Sequence, residues 1–279
     1  MKTVLLLLSI TFSLNAVAQK NESKVLLIKG QKIVVKTTAS QEANINMGME
    51  MKMKNFTSSQ NNLIVLDVAD SNYSLSSTLT GIKISMDMAG QSTTYDSDKK
   101  EDSASEIGRS MQNLNVPDTA TLNKYTAVVT FNKKDTSDSK EEADPMQGMF
   151  ESLQNTGENV VSETFFIIPK GKKVGDKWID SSSTKNSKSH KEYSLQSVEK
   201  GIATILVDSK VQTNTQAEIQ GMQIDVTMAT KSTTEIKVDT KKGLVLKRDT
   251  KSDISGSMDM MGQSVPITGM STSSTEYEY

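Results

Sequence analysis

Methionine is the residue type in this sequence whose spacing could support chemistry. The chain holds 16 methionines among 279 residues. The longest alternating run contains Met47, Met49, Met51 and Met53. Thioethers are soft ligands that suit Cu(I), and they are also flexible apolar groups that adapt to irregular partners. The pattern is therefore compatible with a methionine-filled sheet core, with a cavity for an apolar ligand, or with a Cu(I) site.

The candidate apolar-ligand face collects alternating Met and Ile side chains from four segments of the chain. Its members are Met47, Met49, Met51, Met53, Ile84, Met86, Met88, Met222, Ile224, Met228, Met258 and Met260. Residues i and i+2 of a strand lie on one face, about 7 Å apart, so paired strands could bring several thioethers together. Ile224 and Val226 interrupt one run as packing residues would, which disfavours copper.

The residue types of other common active sites are scarce. The chain has no cysteine and a single histidine, His190, which lies in a polar run. These shortages argue against cysteine nucleophiles, zinc–thiolate sites and multi-histidine metal sites. The serines at 181–183 lack the context of a nucleophile elbow, and the carboxylates are scattered among lysines. We predict that the protein is not an enzyme and has no catalytic residues, cofactor or metal site.

The elements that position these residues have a period of two. Ile82, Ile84, Met86 and Met88 alternate with polar residues, as do apolar residues over 222–228. Such alternation is typical of antiparallel strands with one face on an apolar interior and the other in water. Glycine-containing turns separate the segments, which indicates a meander.

An internal repeat organises these strands. Residues 86–92 (MDMAGQS) recur as 258–264 (MDMMGQS), and Gly48 and Gly221 each precede an alternating strand about forty residues earlier. We predict two copies of a β-meander, about 24–96 and about 190–277, with a helical and charged insertion at about 97–189. Together they would form a single β-rich domain, 19–279.

The predicted fold class is mainly β, with some α+β character. We expect a curved antiparallel sheet or partly open barrel built from the two repeated meanders, with a few helices from the middle segment. Two packed domains, one for each copy, are the alternative.

The middle segment contains the predicted helices. Ser103 to Glu106 reads as a capping box, and Ile107, Met111 and Leu114 follow at helical spacing. Residues 125–131 (YTAVVTF) predict a strand. Asp144 and Pro145 begin a second predicted helix.

The N-terminal residues predict a secretory signal peptide, 1–18. Lys2 is followed by an apolar run over 4–14, and Ala16-Val17-Ala18 forms an A-x-A cleavage site. The run is shorter than the roughly 20 residues of a transmembrane helix. We predict cleavage after Ala18, export to the periplasm or the extracellular space, and no transmembrane segment in the mature chain.

The segment from Pro169 to Trp178 contains a P-x-x-x-x-V-G-D-x-W pattern. Gly175 permits a tight turn, Asp176 can accept hydrogen bonds from turn amides, and Trp178 is the only tryptophan. We interpret Pro169, Gly175, Asp176 and Trp178 as a structural signature rather than an active site.

This signature, the signal peptide, the MGMEMKMK strand from Met47 and the late MDMMGQSVPI hairpin resemble an exported Bacteroidota-type family. That family is known only as domain of unknown function 6263. Many of its members are similar to lipoproteins with a cysteine after the signal, whereas Gln19 occupies that place here. The resemblance implies the fold and the location, and it implies no chemistry, ligand or catalytic residue.

Three functional hypotheses follow. The leading one is a non-enzymatic exported envelope protein that binds lipid or another apolar small molecule in a Met-lined β cavity, by analogy with lipoprotein carriers. The second is a structural or interaction module with a solid core and envelope proteins as partners. The third is a Met-based Cu(I) protein. The formal net charge of −2 gives no electrostatic argument for a nucleic-acid partner.

Overall fold

The computed structural model describes residues 23–46, 50–88, 90–111, 114–131, 156–219, 222–260 and 263–279. The predicted signal peptide, Met47, Met49 and the helix predicted to begin at Asp144 and Pro145 lie outside these residues.

Twelve strands make up most of the described chain. In chain order they are β1 Lys32–Asn46, β2 Glu50–Val68, β3 Asn72–Met88, β4 Gln91–Asp96, β5 Pro117–Asn123, β6 Val129–Phe131, β7 Lys177–Ser183, β8 Ser187–Glu199, β9 Ile202–Ile219, β10 Met222–Asp239, β11 Leu244–Met260 and β12 Gln263–Glu278. The helices within the described residues are a 3₁₀ turn, Lys100–Ala104, and two α-helices, α1 Glu106–Ser110 and α2 Thr156–Glu163.

All twelve strands belong to one antiparallel sheet. The strand order is β6-β5-β3-β2-β1-β12-β11-β10-β9-β8-β7, and β4 pairs with the far end of β3. Because β6 and β7 lie at opposite ends of this order, the sheet is open. The predicted fold class, a curved antiparallel sheet from two meanders with a few helices, is confirmed.

The landmarks of the sequence repeat occupy equivalent places in the two meanders. The first meander runs through β1, β2, β3 and β4, and the second through β9, β10, β11 and β12. Met86 and Met88 end β3 as Met258 and Met260 end β11, each just before a hairpin turn. The two meanders meet where β1 pairs with β12.

The alternation of side chains gives the sheet two different faces. On β1, Ile33 and Val35 are buried, whereas Lys32 and Lys36 are exposed. We call the face that carries Ile33 the inner face and the opposite one the outer face. The outer face carries exposed ion pairs such as Lys36–Glu278, 2.7 Å apart, which contribute little to stability because water screens them.

The main hydrophobic core lies at one end of the inner face, where β1 begins and β2 ends. The N-terminal segment, residues 23–31, and helix α2 pack there on Ile33, Val35, Leu63 and Val65. The segment contributes Val25 and Leu27 to the core, and α2 contributes Val161. The Tyr73 hydroxyl donates to the carbonyl of Val25 and accepts from the amide of Leu27, both at 3.1 Å. These two bonds attach the segment before β1 to β3.

A second, smaller core forms where α1 packs on β3 and β4. Its buried members are Ile82, Ile84, Tyr95, Ile107 and Met111. Ile107 and Met111 therefore share a packing surface, as their helical spacing predicted.

The start of α1 differs from the prediction. Ser105, and not Ser103, caps the helix, because its hydroxyl accepts from the amide of Gly108 at 3.0 Å. The Ser103 hydroxyl instead donates to the carbonyl of Lys100, within the 3₁₀ turn. The helix ends at Ser110, well before Leu114, and it contains a glycine, which is a weak helix former.

The strand predicted over 125–131 is mostly a turn. The side chain of Asn123 accepts from the amides of Tyr125 and Thr126, at 2.9 and 3.1 Å, which ends β5 and redirects the chain. Only Val129–Phe131 forms the strand β6. The strand β5, which begins at Pro117, was not predicted; proline is tolerated at the first residue of a strand.

Glycine at position 269 on β12 is required by a close approach of neighbouring strands. A Cβ atom there would lie 2.5 Å from the carbonyl oxygen of Glu42 and 3.3 Å from the Cα of Ala43. Both contacts are on β1, so a side chain at 269 would force β1 and β12 apart at the centre of the sheet.

We predict that Gly269→Ala lowers the free energy of unfolding by about 1–3 kcal/mol, because overpacking shifts the strands. Chemical denaturation followed by circular dichroism measures the change. Gly81→Ala is the matched control, since a Cβ there would come no closer than 3.9 Å to any atom, and we expect it to change stability by less than about 1 kcal/mol. Equal losses in both variants would contradict the prediction.

Candidate functional site

The strand register divides the inner face into zones. Residues directly opposite one another on paired antiparallel strands share a face. From Thr37, opposite Thr275 and Ser59, the register runs toward the hairpins that follow β1 and β11. Along this direction the inner face changes from the main core to polar residues and then to apolar residues again.

The polar zone crosses the five central strands, and we call it the polar band. Its members are Asn55, Thr57 and Ser59 on β2, Thr37 and Gln41 on β1, Ser271, Ser273 and Thr275 on β12, Thr250 and Ser252 on β11, and Ser232 and Thr234 on β10.

Hydroxyl pairs across neighbouring strands stabilise the polar band. Thr37 and Thr275 are 3.1 Å apart at their hydroxyl oxygens. The Thr234–Thr250 and Ser232–Ser252 pairs are both at 2.9 Å. These bonds satisfy side chains that the alternation places on the less exposed face.

Beyond the polar band lies a second apolar zone, the distal patch. Its members are Ala43 and Ile45 on β1, Met51 and Met53 on β2, Val265 and Ile267 on β12, Ile254 and Met258 on β11, and Ile224, Val226 and Met228 on β10. Ala43, Ile224 and Val265 are buried, and the others are half-buried. None of these residues belongs to either hydrophobic core.

Close strand packing shapes the distal patch. A Cβ atom at Gly256 would lie 2.3 Å from the carbonyl oxygen of Thr227 and 2.7 Å from the Met228 sulfur. Met228 therefore covers the backbone of β11 at Gly256. Glycine inside a strand often marks such an approach or a bend of the sheet.

The predicted apolar-ligand residues fall into two groups. Met53 lies opposite Met88, and Met86 lies opposite Asn55, all on β2 and β3. Met228 and Met258 lie on β10 and β11, with β1 and β12 between the two groups. The methionines of the described residues thus do not gather into one cluster.

Several of the predicted residues differ in their surroundings. Ile84 is buried in the second core and Met86 packs against it, so they face α1. Met88 is about half exposed. Ile224 is buried in the distal patch, whereas the side chains of Met222 and Met260 lie outside the described part of the structure, although both residues belong to strands.

Unpaired polar groups lie on the inner face of β2. Asn61 is 1% exposed, and neither atom of its amide has a hydrogen-bond partner among the described residues. The buried Oδ1 atom of Asn55 also lacks one there. Buried amides without partners cost free energy, so such groups often mark a site that is completed by another molecule.

Arg248 is the charged residue of the inner face that borders the polar band on β11. It lies opposite Ile236 and Thr275. Its guanidinium is 3.4 Å from the Glu163 carboxylate at the end of α2. The Tyr277 hydroxyl donates to the backbone carbonyl of Glu163 at 3.3 Å. These contacts attach α2 to the sheet.

The P-x-x-x-x-V-G-D-x-W signature forms a turn and an aromatic anchor. The amide of Lys173 donates to the carboxylate of Asp176 at 2.8 Å, and Gly175 has a φ of 91°. Pro169 is exposed at the start of the turn. Trp178 stacks on Tyr193, with ring centroids 5.4 Å apart and planes 3° apart. These contacts fold the segment into a turn and hold Trp178 against β8, and the structural role of the signature stays a prediction.

His190 is exposed on β8. Its Nδ1 atom is 2.9 Å from the hydroxyl of Ser181 on β7. Within the described part of the chain, no group of three or more His, Cys, Asp or Glu side chains is placed to hold a metal ion. In the same residues, no helix has the length and apolar composition needed to cross a membrane.

The polar band and Asn61 were not recognised in the sequence. Both faces of the strands carry Ser and Thr, so alternation alone does not identify the inner one. The run Ser271, Ser273 and Thr275 could have identified the polar band. These polar residues precede the buried Tyr277 in steps of two, so they lie on the same face of the strand as Tyr277.

The arrangement defines a class: an open antiparallel sheet whose inner face carries two apolar zones separated by a polar band. Its fold is similar to that of lipovitellin. A structure of lipid–protein interactions in lipovitellin is 7% identical, covers 91% of this chain and 26% of that chain, and gives a TM-score of 0.52. The chain thus spans about a quarter of the lipovitellin chain. An outer membrane channel from Pseudomonas putida F1 is also 7% identical, covers 92% of this chain and 98% of that chain, and has a TM-score of only 0.21.

The chain belongs to a family of unknown function (DUF6263), whose model matches residues 70–245. This confirms the family predicted from the sequence. The Bacteroidota origin stays a prediction. No curated protein sequence matches the chain.

Burial of Tyr277 makes the stability of the protein decrease at alkaline pH. Burial raises the pKa of its hydroxyl above the ordinary value of 10.0, and the nearby Arg248 opposes this only in part. A group whose pKa is raised by folding stabilises the folded protein fully at pH values below its unfolded-state pKa of about 10. This contribution is lost as the pH rises from there through the folded-state pKa. We predict a steeper alkaline loss of stability in the wild type than in Tyr277→Phe, measured by denaturation across this pH range. Parallel pH profiles would contradict it.

Proposed function

We propose that this protein is an exported, non-enzymatic binder of lipid or another apolar small molecule. The observation that carries the proposal is the distal patch, an apolar surface of Ile, Val and Met side chains on the inner face. It lies beyond the polar band and outside both hydrophobic cores. Apolar patches that a soluble protein keeps apart from its core commonly bind ligands or partners.

The composition of the distal patch suits a flexible apolar ligand. Met51, Met53, Met228 and Met258 are half-buried, so each keeps some surface to lose on binding. Unbranched thioether side chains adapt to varied acyl chains at small cost. Each buried methylene of a ligand contributes about 0.8 kcal/mol.

The likeness to lipovitellin supports the proposal at the level of fold. That structure concerns lipid–protein interactions, and its similarity covers 91% of this chain. With 7% identity, the likeness transfers an open sheet but no ligand. The ligand proposal therefore depends on the residues of this chain.

Ile267→Glu tests the distal patch. It places a charge on the inner face, and we expect at least a tenfold loss of affinity for a fluorescent fatty-acid or alkyl probe, because a buried charge without a partner is costly. Met270→Glu is the matched control, since Met270 lies three residues along the same strand and is 61% exposed on the outer face. We expect unchanged affinity there.

Further measurements distinguish a loss of binding from a loss of folding and give the stoichiometry. Circular dichroism establishes whether Ile267→Glu folds, and Met51→Gln provides a milder change on the same patch. Native mass spectrometry of wild-type protein, incubated with the probe, gives the stoichiometry. Absence of probe binding by folded wild-type protein, or equal losses in Ile267→Glu and Met270→Glu, would overturn the proposal.

Export is tested separately. We predict that the mature chain isolated from the cell envelope or the medium begins at Gln19, because Ala16-Val17-Ala18 provides the cleavage site. N-terminal sequencing of the secreted product measures this. Recovery of the intact chain from Met1, in the cytoplasm, would contradict it.

A further inference from the structure

Resting on the proposed function, we infer that the ligand is an amphiphile with an uncharged hydrogen-bonding head, such as an acylglycerol. Its head lies on the polar band and its chain on the distal patch. The polar band and the distal patch are contiguous on one face of the same five strands, so a single molecule can touch both.

The boundary between the two zones is sharp. One row of directly opposed residues on six consecutive strands is entirely polar: Asn55, Gln41, Ser271, Ser252, Ser232 and Ser209. Two residues further toward the hairpins, the opposed row is mostly apolar or small: Met53, Ala43, Gly269, Ile254, Thr230 and Val211. Adjacent rows on one face are about 7 Å apart. This spacing suits the junction of a small head and an alkyl chain.

The charge distribution selects an uncharged head. From Thr37 to Ile45 on β1, and at the residues opposite them on β2 and β12, the described inner face carries no charged side chain. Arg248, which pairs with Glu163, lies two rows from the boundary row on the side of the main core, and Lys191 on β8 lies beyond Ser209 at the far end of that row. A carboxylate or phosphate head placed at Asn55 and Gln41 would therefore lose water without gaining an adjacent counter-charge, whereas hydroxyl and ester groups need only hydrogen bonds.

Asn55 supplies an unused hydrogen-bonding group at this boundary. Its Oδ1 atom is buried and has no partner among the described residues, while Met86 and Gln41 lie opposite it on the neighbouring strands. An amide oxygen accepts a hydrogen bond from a hydroxyl group. A glycerol hydroxyl placed at the boundary row would supply this missing donor.

Four probes with the same alkyl chain test the inference: glycerol monododecanoate, dodecanol, dodecanoate and dodecane. Their affinities are measured by displacement of a fluorescent alkyl probe, below the micelle-forming concentration or the solubility limit of each. We expect the glycerol ester and the alcohol to bind at least about tenfold more tightly than dodecanoate. In Asn55→Leu we expect this preference to fall to less than about threefold.

Asn61→Leu is the matched control. Asn61 is the same residue type on the same strand and face, but it lies opposite Val35 at the main core, away from the boundary row. We expect this variant to keep the preference for the neutral heads. If Asn55→Leu does not fold, Gln41→Leu makes the same test from β1.

The outcomes separate the two proposals. Equal binding of all four probes, tighter binding of dodecanoate, or an unchanged preference in folded Asn55→Leu would overturn the neutral-head inference while leaving apolar binding intact. Failure of every probe to bind the wild type would overturn both. Loss of the preference in Asn61→Leu as well as in Asn55→Leu would also overturn the assignment to the boundary row.

Discussion

The antiparallel pairing of β1 with β12 is the interaction on which the rest of the sheet depends. It runs from Val34, opposite Glu278, to Ile45, opposite Ile267. It joins the meander of β1–β4 to that of β9–β12, and all the other central pairings lie on one side of it or the other. Gly269 and Ala43 let the two backbones approach closely there. Without this pairing, each meander would expose a long unpaired edge.

This central pairing also makes the inner face continuous. The main core, the polar band and the distal patch each cross from β1 to β12 without interruption. The core end supplies the stability of the fold, because helix α2 and the N-terminal segment cover it. The distal patch, at the opposite end of the inner face, is therefore not needed as a hydrophobic core, and its residues can serve binding instead. The polar band between them isolates one apolar surface from the other.

The sequence predicted the features that depend on neighbouring residues. Alternation around Ile82 and over 222–228 identified strands, and the repeated MDMxGQS segments identified equivalent hairpins. The pairing of β1 with β12 could not be predicted in this way, because it joins residues more than two hundred positions apart. Nor could the polar band, since the side on which Thr37 lies depends on the whole sheet. The capping residue of α1 was wrong by two positions, because Ser103 and Ser105 offer the same local chemistry.

The sequence separation of β1 and β12 has a consequence for how the chain is made. The centre of the sheet cannot form until residues 263–278 are available, so β1 lacks its β12 partner while the rest of the chain is synthesised. Contacts between distant residues also form slowly, because a long loop must close first. For the export proposed above, such a delay is useful, because a chain whose central pairing has not yet formed is easier to keep extended until its last strand has crossed the membrane.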